Sequence, residues 1–225
     1  MSRLVIFDCD GTLVDSGHSI HLALGETFAE HGRPIPPRDV ARRVIGLSLD
    51  EAFASLAPDG DGAEHRVLSA TYRRVFAALR ARGSVEEPLF EGIVPLLDAL
   101  EADGWLLAVA TGKSDRGLHH CLQVNGLGGR FVSLQTADRH PSKPHPSMAM
   151  EAMLAAGAEP ADTVVIGDTG WDMGMAKAAG AKAMGALWGY HDAAELKVAG
   201  ADVLVARPAD VHGEVRRLFG EVEHG

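Results

Sequence analysis

Short apolar runs alternate with longer stretches of helical periodicity along most of the chain. The first run, residues 4–7, reads Leu-Val-Ile-Phe and predicts a short buried strand. Further apolar runs predict strands at 105–110, 131–134, 163–166, 183–187 and 203–205. Helical periodicity occurs around them at 93–102, 114–124, 147–156, 173–179 and 210–219. Strands that alternate with helices of this length predict an α/β fold with a doubly wound, Rossmann-like parallel sheet.

The segment from residue 16 to residue 82 departs from this alternation. Its apolar residues recur at helical spacing over 18–31, 39–45, 49–56 and 62–81, and no stretch of it has a convincing strand pattern. We therefore predict two domains. Residues 1–15 and 86–225 form an α/β core, and residues 16–85 form a small all-helical cap domain inserted after the first strand.

The charge balance limits the classes of partner. The chain has 225 residues, with 21 Lys and Arg against 31 Asp and Glu, so its formal net charge is −10. This acidic surplus disfavours binding to nucleic acid or to an anionic membrane surface, because phosphate groups would be repelled. No apolar run approaches the roughly 20 residues that span a bilayer. Cys9 and Cys121 have neither disulfide-framework nor metal-site spacing, which favours a reducing cytoplasm.

Small polar groups follow four successive predicted strands. They are Asp8 and Asp10 after the first strand, Thr111 and Gly112 after the second, Lys143 in the loop after the third, and Asp168 with Asp172 after the fourth. Each has an ordinary structural explanation as a turn, a helix cap or a solvated loop charge. Because the carboxyl ends of parallel strands open on one side of a sheet, we expect these side chains to meet in one crevice.

A crevice with these groups has the parts needed for phosphoryl transfer. A carboxylate such as Asp8 can accept a phosphoryl group and form an aspartyl-phosphate. Carboxylate and phosphate repel each other, so the reaction needs cations that screen the repulsion. Lys143 is one such cation, and a divalent ion such as Mg²⁺, held by Asp8, Asp168 and a carbonyl oxygen, would be another. Asp10 could donate a proton to the leaving oxygen, and the Thr111 hydroxyl could bind phosphate oxygens.

Four sequence motifs resemble those of the haloacid dehalogenase-like superfamily, in the same order and over nearly the whole chain. They are residues 8–16 (DCDGTLVDS), 109–114 (VATGKS), 142–146 (SKPHP) and 167–172 (GDTGWD). The position of the helical segment also matches that of the superfamily's helical cap. The resemblance implies that Asp8 is the nucleophile and that Asp10 is the general acid and base. It also implies that Thr111, Gly112 and Lys143 bind the phosphate group.

The same resemblance implies a metal site and a cofactor. Asp8 and Asp168, together with the backbone carbonyl of Asp10, would bind Mg²⁺. Asp172 would lie behind these ligands and orient either a water molecule or Lys143.

Among members of the superfamily, the chain most resembles the phosphoglycolate phosphatases with a small helical cap. This resemblance implies hydrolysis of a small phosphorylated metabolite. Asp10 favours phosphoryl transfer over carbon–halogen cleavage, because the dehalogenases of the superfamily lack this carboxylate. Candidate substrate contacts in the helical segment are His18, Arg42 and Arg43, since an arginine can pair with a substrate carboxylate.

Two alternatives stay open. A sugar-phosphate mutase of the same superfamily would use the same groups, and a non-catalytic phosphate-binding or signalling domain would keep the fold without turnover. Receiver domains are disfavoured because they have no place for the helical segment. A nucleotide-binding phosphate loop at 111–114 is excluded because Leu107 occupies the position of its first glycine. Phosphonate cleavage through a Schiff base is disfavoured because residues 16–82 contain no lysine.

Overall fold

The computed structural model describes residues 2–220, and these residues contain a parallel sheet of six strands. The strands pair in the order β3-β2-β1-β4-β5-β6, which confirms the predicted doubly wound sheet. Their bounds are β1 Ser2–Phe7, β2 Leu106–Thr111, β3 Ser133–Thr136, β4 Ala158–Gly167, β5 Lys182–Ala186 and β6 Val203–Val205.

The helices of the described residues fall into two groups. The first four of the five described helices between β1 and β2 form what we call the helical segment: α1 Gly17–Glu30, α2 Arg38–Arg42, α3 Leu49–Leu56 and α4 Gly62–Ala81. The others flank the sheet: α5 Ile93–Ala102, α6 Asp115–Val124, α7 Ser147–Ala156, α8 Gly170–Ala178, α9 Ala193–Val198 and α10 Pro208–Leu218.

The sheet is buried on both faces, as its continuous apolar strands predict. Alternate residues of β1 point to opposite faces, so Val5 and Phe7 pack in one core cluster and Leu4 and Ile6 in the other. Helices α5, α6 and α10 cover the first face, and α7, α8 and α9 cover the second. This double covering fixes the strand ends in space and leaves the crevice at their carboxyl edge as the place for a site.

The helical segment has a hydrophobic cluster of its own, built around Phe28, Phe53 and Leu68. Its two connections to the sheet run side by side. Asp15 N donates to Pro88 O at 2.8 Å, and Val14 forms an isolated antiparallel β-bridge with Leu89. The predicted division into residues 1–15 with 86–225 and residues 16–85 stays a prediction. Met1 and residues 221–225 lie outside the described residues.

The predicted position of the third strand is wrong, and one helix of the structure is not predicted. The third strand is Ser133–Thr136 rather than 131–134, because the strand includes the buried polar residue Gln135. Its side-chain amide donates to Ser133 Oγ at 2.7 Å and its carbonyl oxygen lies 2.8 Å from His140 Nε2, so burial leaves neither end unpaired. Helix α9 is not predicted from apolar periodicity, and its signal is the capping box formed by Asp192 and Glu195.

Both cysteines are buried free thiols, and their sulfur atoms lie 3.9 Å apart. The hydrogen bond with Cys121, together with burial, raises the pKa of Cys9 well above its ordinary value. Cys9 also lies between two aspartates, and the charge of Asp10 further disfavours its thiolate, so we expect a packing role for this side chain. Between residues 2 and 220, no helix is both long enough and apolar enough to cross a bilayer. The cytoplasmic location stays a prediction.

Candidate active site

The site lies at the topological switch point of the sheet. From β1 the chain continues through β2 and β3 on one side, then crosses back to β4 on the other side of β1. The carboxyl ends of β1 and β4 therefore border a crevice that no chain connection covers. Asp8 directly follows β1 and Asp168 directly follows β4, so the fold brings these two carboxylates together.

Asp8 is a buried carboxylate with little hydrogen bonding. Its side chain is 1% exposed, and neither carboxylate oxygen accepts a well-aligned hydrogen bond from any residue between 2 and 220. Lys143 Nζ lies 2.9 Å from Asp8 Oδ1. Burial raises the pKa of Asp8 to about 7, because the attraction of Lys143 offsets only part of the desolvation and Asp172 adds repulsion. A cation at this carboxylate would relieve that cost.

Lys143 is held in place from behind. Its ammonium group is buried and lies 2.6 Å from Asp172 Oδ1. The other oxygen of Asp172 accepts hydrogen bonds from Thr169 N at 3.1 Å and Thr169 Oγ1 at 2.6 Å, within the capping box of α8. Burial lowers the pKa of Lys143, but Asp172 and Asp8 outweigh it and leave the pKa above its ordinary value. The lysine is therefore a fixed positive charge beside Asp8.

Asp168 is held by two hydrogen bonds. Thr12 Oγ1 donates to its Oδ1 at 2.8 Å and Tyr190 N donates to its Oδ2 at 2.8 Å. Burial, followed by repulsion from Asp8, raises the pKa of Asp168 well above its ordinary value. Gly11 packs directly on this carboxylate: a Cβ there would lie 2.2 Å from Asp168 Oδ2, and its φ of +88° is one that glycine favours.

The carboxylates of this crevice fit a divalent cation. One oxygen from each of Asp8, Asp168 and Asp172 lies within 4.8 Å of the other two, and all three residues are buried. The three carboxylates are buried, and the ammonium group of Lys143 pairs with two of them, Asp8 and Asp172. The two oxygens of Asp8 accept no well-aligned hydrogen bond from the described residues. Hard oxygen ligands with this excess of negative charge suit Mg²⁺. Asp8 and Asp168 are the better candidates for ligands. Asp172 already pairs with the Lys143 ammonium group and accepts two hydrogen bonds from Thr169, whereas Asp168 accepts one neutral hydrogen bond at each oxygen and Asp8 accepts none that is well aligned.

A second charged cluster surrounds Asp10. Lys113 Nζ lies 2.8 Å from Asp10 Oδ1, and Ser16 Oγ donates a short hydrogen bond to the same oxygen. Lys113 also lies 2.5 Å from Glu87 Oε1, and Arg80 lies 3.1 Å from Glu87 Oε2. Lys113 and Glu87 are not among the predicted site residues. Lys113 could have been found from the sequence, because it lies in the motif 109–114, two residues after Thr111. Nothing in the sequence around Glu87 indicates a role in the site.

Replacing Glu87 with glutamine is expected to lower the free energy of unfolding at pH 7 by about 1–3 kcal/mol. Burial raises the pKa of Glu87, but Lys113 and then Arg80 outweigh it and leave the pKa below its ordinary value of 4.5. A depressed pKa contributes stability that is present above pH 4.5 and is lost as the pH falls through the folded-state pKa. Urea unfolding should therefore show a smaller difference between the two proteins at about pH 4 than at pH 7.

Glu86→Gln is the matched control for this measurement, because the side chain of Glu86 is exposed and the residue directly precedes Glu87. It should change the free energy of unfolding little at either pH. An equal cost of Glu87→Gln at both pH values would contradict a contribution from the charge of Glu87.

Thr111 and Gly112 lie where the core meets the helical segment. Thr111 is buried, and its hydroxyl oxygen accepts a hydrogen bond from Lys113 N at 3.2 Å. A Cβ at Gly112 would lie 2.5 Å from Leu47 O and 2.8 Å from Gly46 O, so the backbone of the helical segment approaches the core here. Only glycine allows that approach without a shift of backbone.

The three candidate substrate contacts in the helical segment are all exposed. Arg42 donates to Gly189 O at 3.3 Å and its guanidinium lies 5.6 Å from the ring centre of Tyr190. Arg43 is exposed and lies 3.8 Å from Glu195, and His18 is also exposed. A role of His18, Arg42 and Arg43 in binding substrate stays a prediction.

Comparisons with known proteins show similarity over most of the chain. The model of the haloacid dehalogenase-like hydrolase family matches residues 5–186. A probable phosphatase, IndB, of Dickeya dadantii is 37% identical over 223 residues, which cover 97% of this chain and 96% of that protein. A phosphoglycolate phosphatase of Xylella fastidiosa is 33% identical over 92% of this chain and 90% of its own length. The crystal structure of a predicted phosphatase from Clostridium acetobutylicum superimposes with a TM-score of 0.87 at 25% identity, over 96% of this chain and 99% of that one.

Proposed function

The chain belongs to the haloacid dehalogenase-like hydrolases, and we propose that it is a Mg²⁺-dependent phosphatase that hydrolyses a small phosphorylated metabolite. The substrate class is a phosphomonoester, as in the relatives named phosphoglycolate phosphatase. The observation that carries the proposal is Asp8: a buried carboxylate that lacks well-aligned hydrogen-bond donors and lies beside a fixed ammonium group. Such a carboxylate is poised to accept an electrophilic phosphoryl group.

The proposed reaction has two steps. In the first, an oxygen of Asp8 bonds to phosphorus, the bond from phosphorus to the ester oxygen breaks, and Asp10 protonates the departing alcohol. In the second, Asp10 takes a proton from water, whose oxygen attacks phosphorus and releases phosphate and the Asp8 carboxylate. Lys143 and Thr111 bind the phosphate oxygens throughout, so no charge has to be moved into place during transfer. Mg²⁺ held by Asp8 and Asp168 would supply positive charge that reduces the repulsion between carboxylate and phosphate.

Asp10 distinguishes phosphate hydrolysis from carbon–halogen cleavage within this family. A leaving alkoxide needs a proton, whereas a halide leaves without one. The ion pair with Lys113 and the hydrogen bond from Ser16 both engage Asp10 Oδ1, and they fix the orientation of this carboxylate, which follows Asp8 by two residues. This fixed orientation supports a role for Asp10 in proton transfer to the leaving group.

Saturating Mg²⁺ is expected to raise the Tm of the protein by about 5 °C, because the cation binds the folded state alone. Asp168→Asn should abolish most of this shift, since it removes one charged ligand. Asp98→Asn is the matched control: Asp98 is 63% exposed and pairs with Arg130 far from the crevice. Phosphate release from p-nitrophenyl phosphate should require Mg²⁺ and stop when EDTA is added. An unchanged Mg²⁺ shift in Asp168→Asn would exclude this residue as a ligand.

A further inference from the structure

A cavity of about 610 Å³ opens beside Asp10 and extends between the core and the helical segment. The core side contributes Gly112 and Lys113, together with polar side chains of α6 and of the loop after β3 that include Arg116, His120 and Asp138. The wall on the other side is mainly apolar, and its side chains come from α1, α3 and α4: Ile20, Leu24, Leu49, Phe53, Tyr72 and Phe76. The cavity thus connects the proposed general acid with the interior of the helical segment.

The volume of this cavity lies within the range of pockets that enclose drug-sized ligands, roughly 300–1,000 Å³. A substrate with only two or three carbon atoms beyond its phosphate would leave most of it filled with water against an apolar wall. Burial of an apolar group against that wall would be favourable in proportion to the area removed from water. The size and the lining therefore favour a larger organic group.

The ring-bearing side chains of the wall form a cluster. The ring centres of Phe53 and Tyr72 are 6.2 Å apart, and those of Tyr72 and Phe76 are 5.7 Å apart. Both distances lie within the range at which aromatic rings attract each other. A further aromatic ring placed in the cavity would extend this cluster.

The cations near Asp10 are already committed. Lys113 lies between Asp10 and Glu87, at 2.8 and 2.5 Å from their oxygens, and Arg80 also pairs with Glu87. A substrate carboxylate placed at this end of the cavity would have to compete with two buried carboxylates for the same ammonium group. The Asp10 end of the cavity is therefore poorly suited to a small, doubly anionic substrate.

We propose that the cavity binds the alcohol portion of the substrate and that this portion carries an aromatic ring on a largely apolar framework. The inference rests on the proposed function, because Asp10 can protonate the leaving oxygen only if the alcohol lies on its side of the phosphate. The cavity is the space on that side. The phosphate would lie at Asp8, and the ring would pack against Tyr72 and Phe76. Phe53 is fully buried and contacts Tyr72.

The first test compares aryl phosphates of similar intrinsic reactivity with a small carboxylated ester. In the presence of Mg²⁺, kcat/KM for 1-naphthyl phosphate should exceed that for phenyl phosphate by about tenfold, through burial of the second ring. The value of kcat/KM for 1-naphthyl phosphate should also exceed that for 2-phosphoglycolate by at least about tenfold. Equal values for the two aryl esters, or a preference for 2-phosphoglycolate, would overturn the inference and leave the proposed function standing.

The second test narrows the cavity from a position that tolerates a large side chain. Ala77 on α4 lines the cavity yet is exposed, so Ala77→Trp adds bulk there without entering a packed core. This variant should lower kcat/KM for 1-naphthyl phosphate by about tenfold and change that for phenyl phosphate by less than about threefold. Ala78→Trp is the matched control, because Ala78 is equally exposed and does not line the cavity. It should change neither value.

The outcomes separate the two proposals. If the protein hydrolyses no phosphomonoester, including p-nitrophenyl phosphate with Mg²⁺, the proposed function fails and the inference fails with it. A second outcome is that phenyl phosphate is hydrolysed and that Ala77→Trp changes kcat/KM for the two aryl esters no more than Ala78→Trp does. In that case the cavity does not bind the alcohol portion, and only the inference fails. The Tm of both tryptophan variants checks that each one is folded.

Discussion

Asp8→Asn is expected to lower kcat for p-nitrophenyl phosphate by at least about 10³-fold. The amide that replaces the carboxylate cannot form an acyl-phosphate bond, so the two-step reaction loses its first step. Size and shape are nearly unchanged, and the side chain of Asp8 makes few hydrogen bonds that the amide would break. We therefore expect a folded but inactive protein. Phosphate release in Mg²⁺, measured to well below the rate of the wild type, checks this result.

Asp98→Asn again provides the control, because it makes the same chemical change at an exposed position and should keep activity within about twofold. The Tm of each variant distinguishes a lost nucleophile from a lost fold. Activity that survives in a folded Asp8→Asn protein would remove the nucleophile from the proposed mechanism. Rapid acid quenching of the wild type with ³²P-labelled substrate provides an independent measurement, since label should remain on the protein and be absent from Asp8→Asn.

Lys143→Met is expected to reduce the free energy of unfolding by about 3–5 kcal/mol when no divalent ion is present. The ammonium group is buried between Asp8 at 2.9 Å and Asp172 at 2.6 Å, and its removal leaves buried carboxylates without a counter-charge. Methionine has a similar length, so the loss is one of charge and hydrogen bonding more than of volume. Urea unfolding in EDTA measures the difference.

Lys177→Met is the matched control for this prediction. Lys177 also pairs with an aspartate, Asp202 at 2.8 Å, but its side chain is 45% exposed. Water screens such a pair, so the same substitution should cost no more than about 1 kcal/mol. A similar cost at both positions would mean that the charge of Lys143 contributes no more to stability than a surface charge does. Activity of Lys143→Met should fall as well, since the positive charge beside Asp8 is lost.

The parts of the fold that could be predicted are those with a local physical cause. Helix α4 begins at the predicted residue because Asp61 caps it, with its side chain accepting from Ala63 N and Glu64 N. Helix α5 spans the predicted residues 93–102, and it begins directly after Gly92, which takes a left-handed conformation. The convergence of Asp8 and Asp168 followed from a single topological rule applied to two apolar strands.

The remaining features depend on contacts between distant parts of the chain. Glu87 and Lys113 are 26 residues apart, and neither has a neighbour in sequence that indicates a buried ion pair. The shift of β3 by two residues depends on the pairing of Gln135 with His140, which makes a polar residue acceptable inside the sheet. The cavity beside Asp10 is lined by α1, α3 and α4 together with residues that follow β1 and β2, so the periodicity of no single stretch could indicate it.

The paired connections between the core and the helical segment have an evolutionary consequence. The chain leaves the core and returns to it at adjacent points, joined by Asp15 N and Pro88 O. A segment of different length or different sequence could be accommodated between these points without a change in strand register. In the proposed mechanism the residues at the strand ends carry the chemistry, so selection could alter the choice of substrate through α1–α4 while those residues stay as they are. One ancestral reaction can in this way be inherited by enzymes that act on quite different molecules.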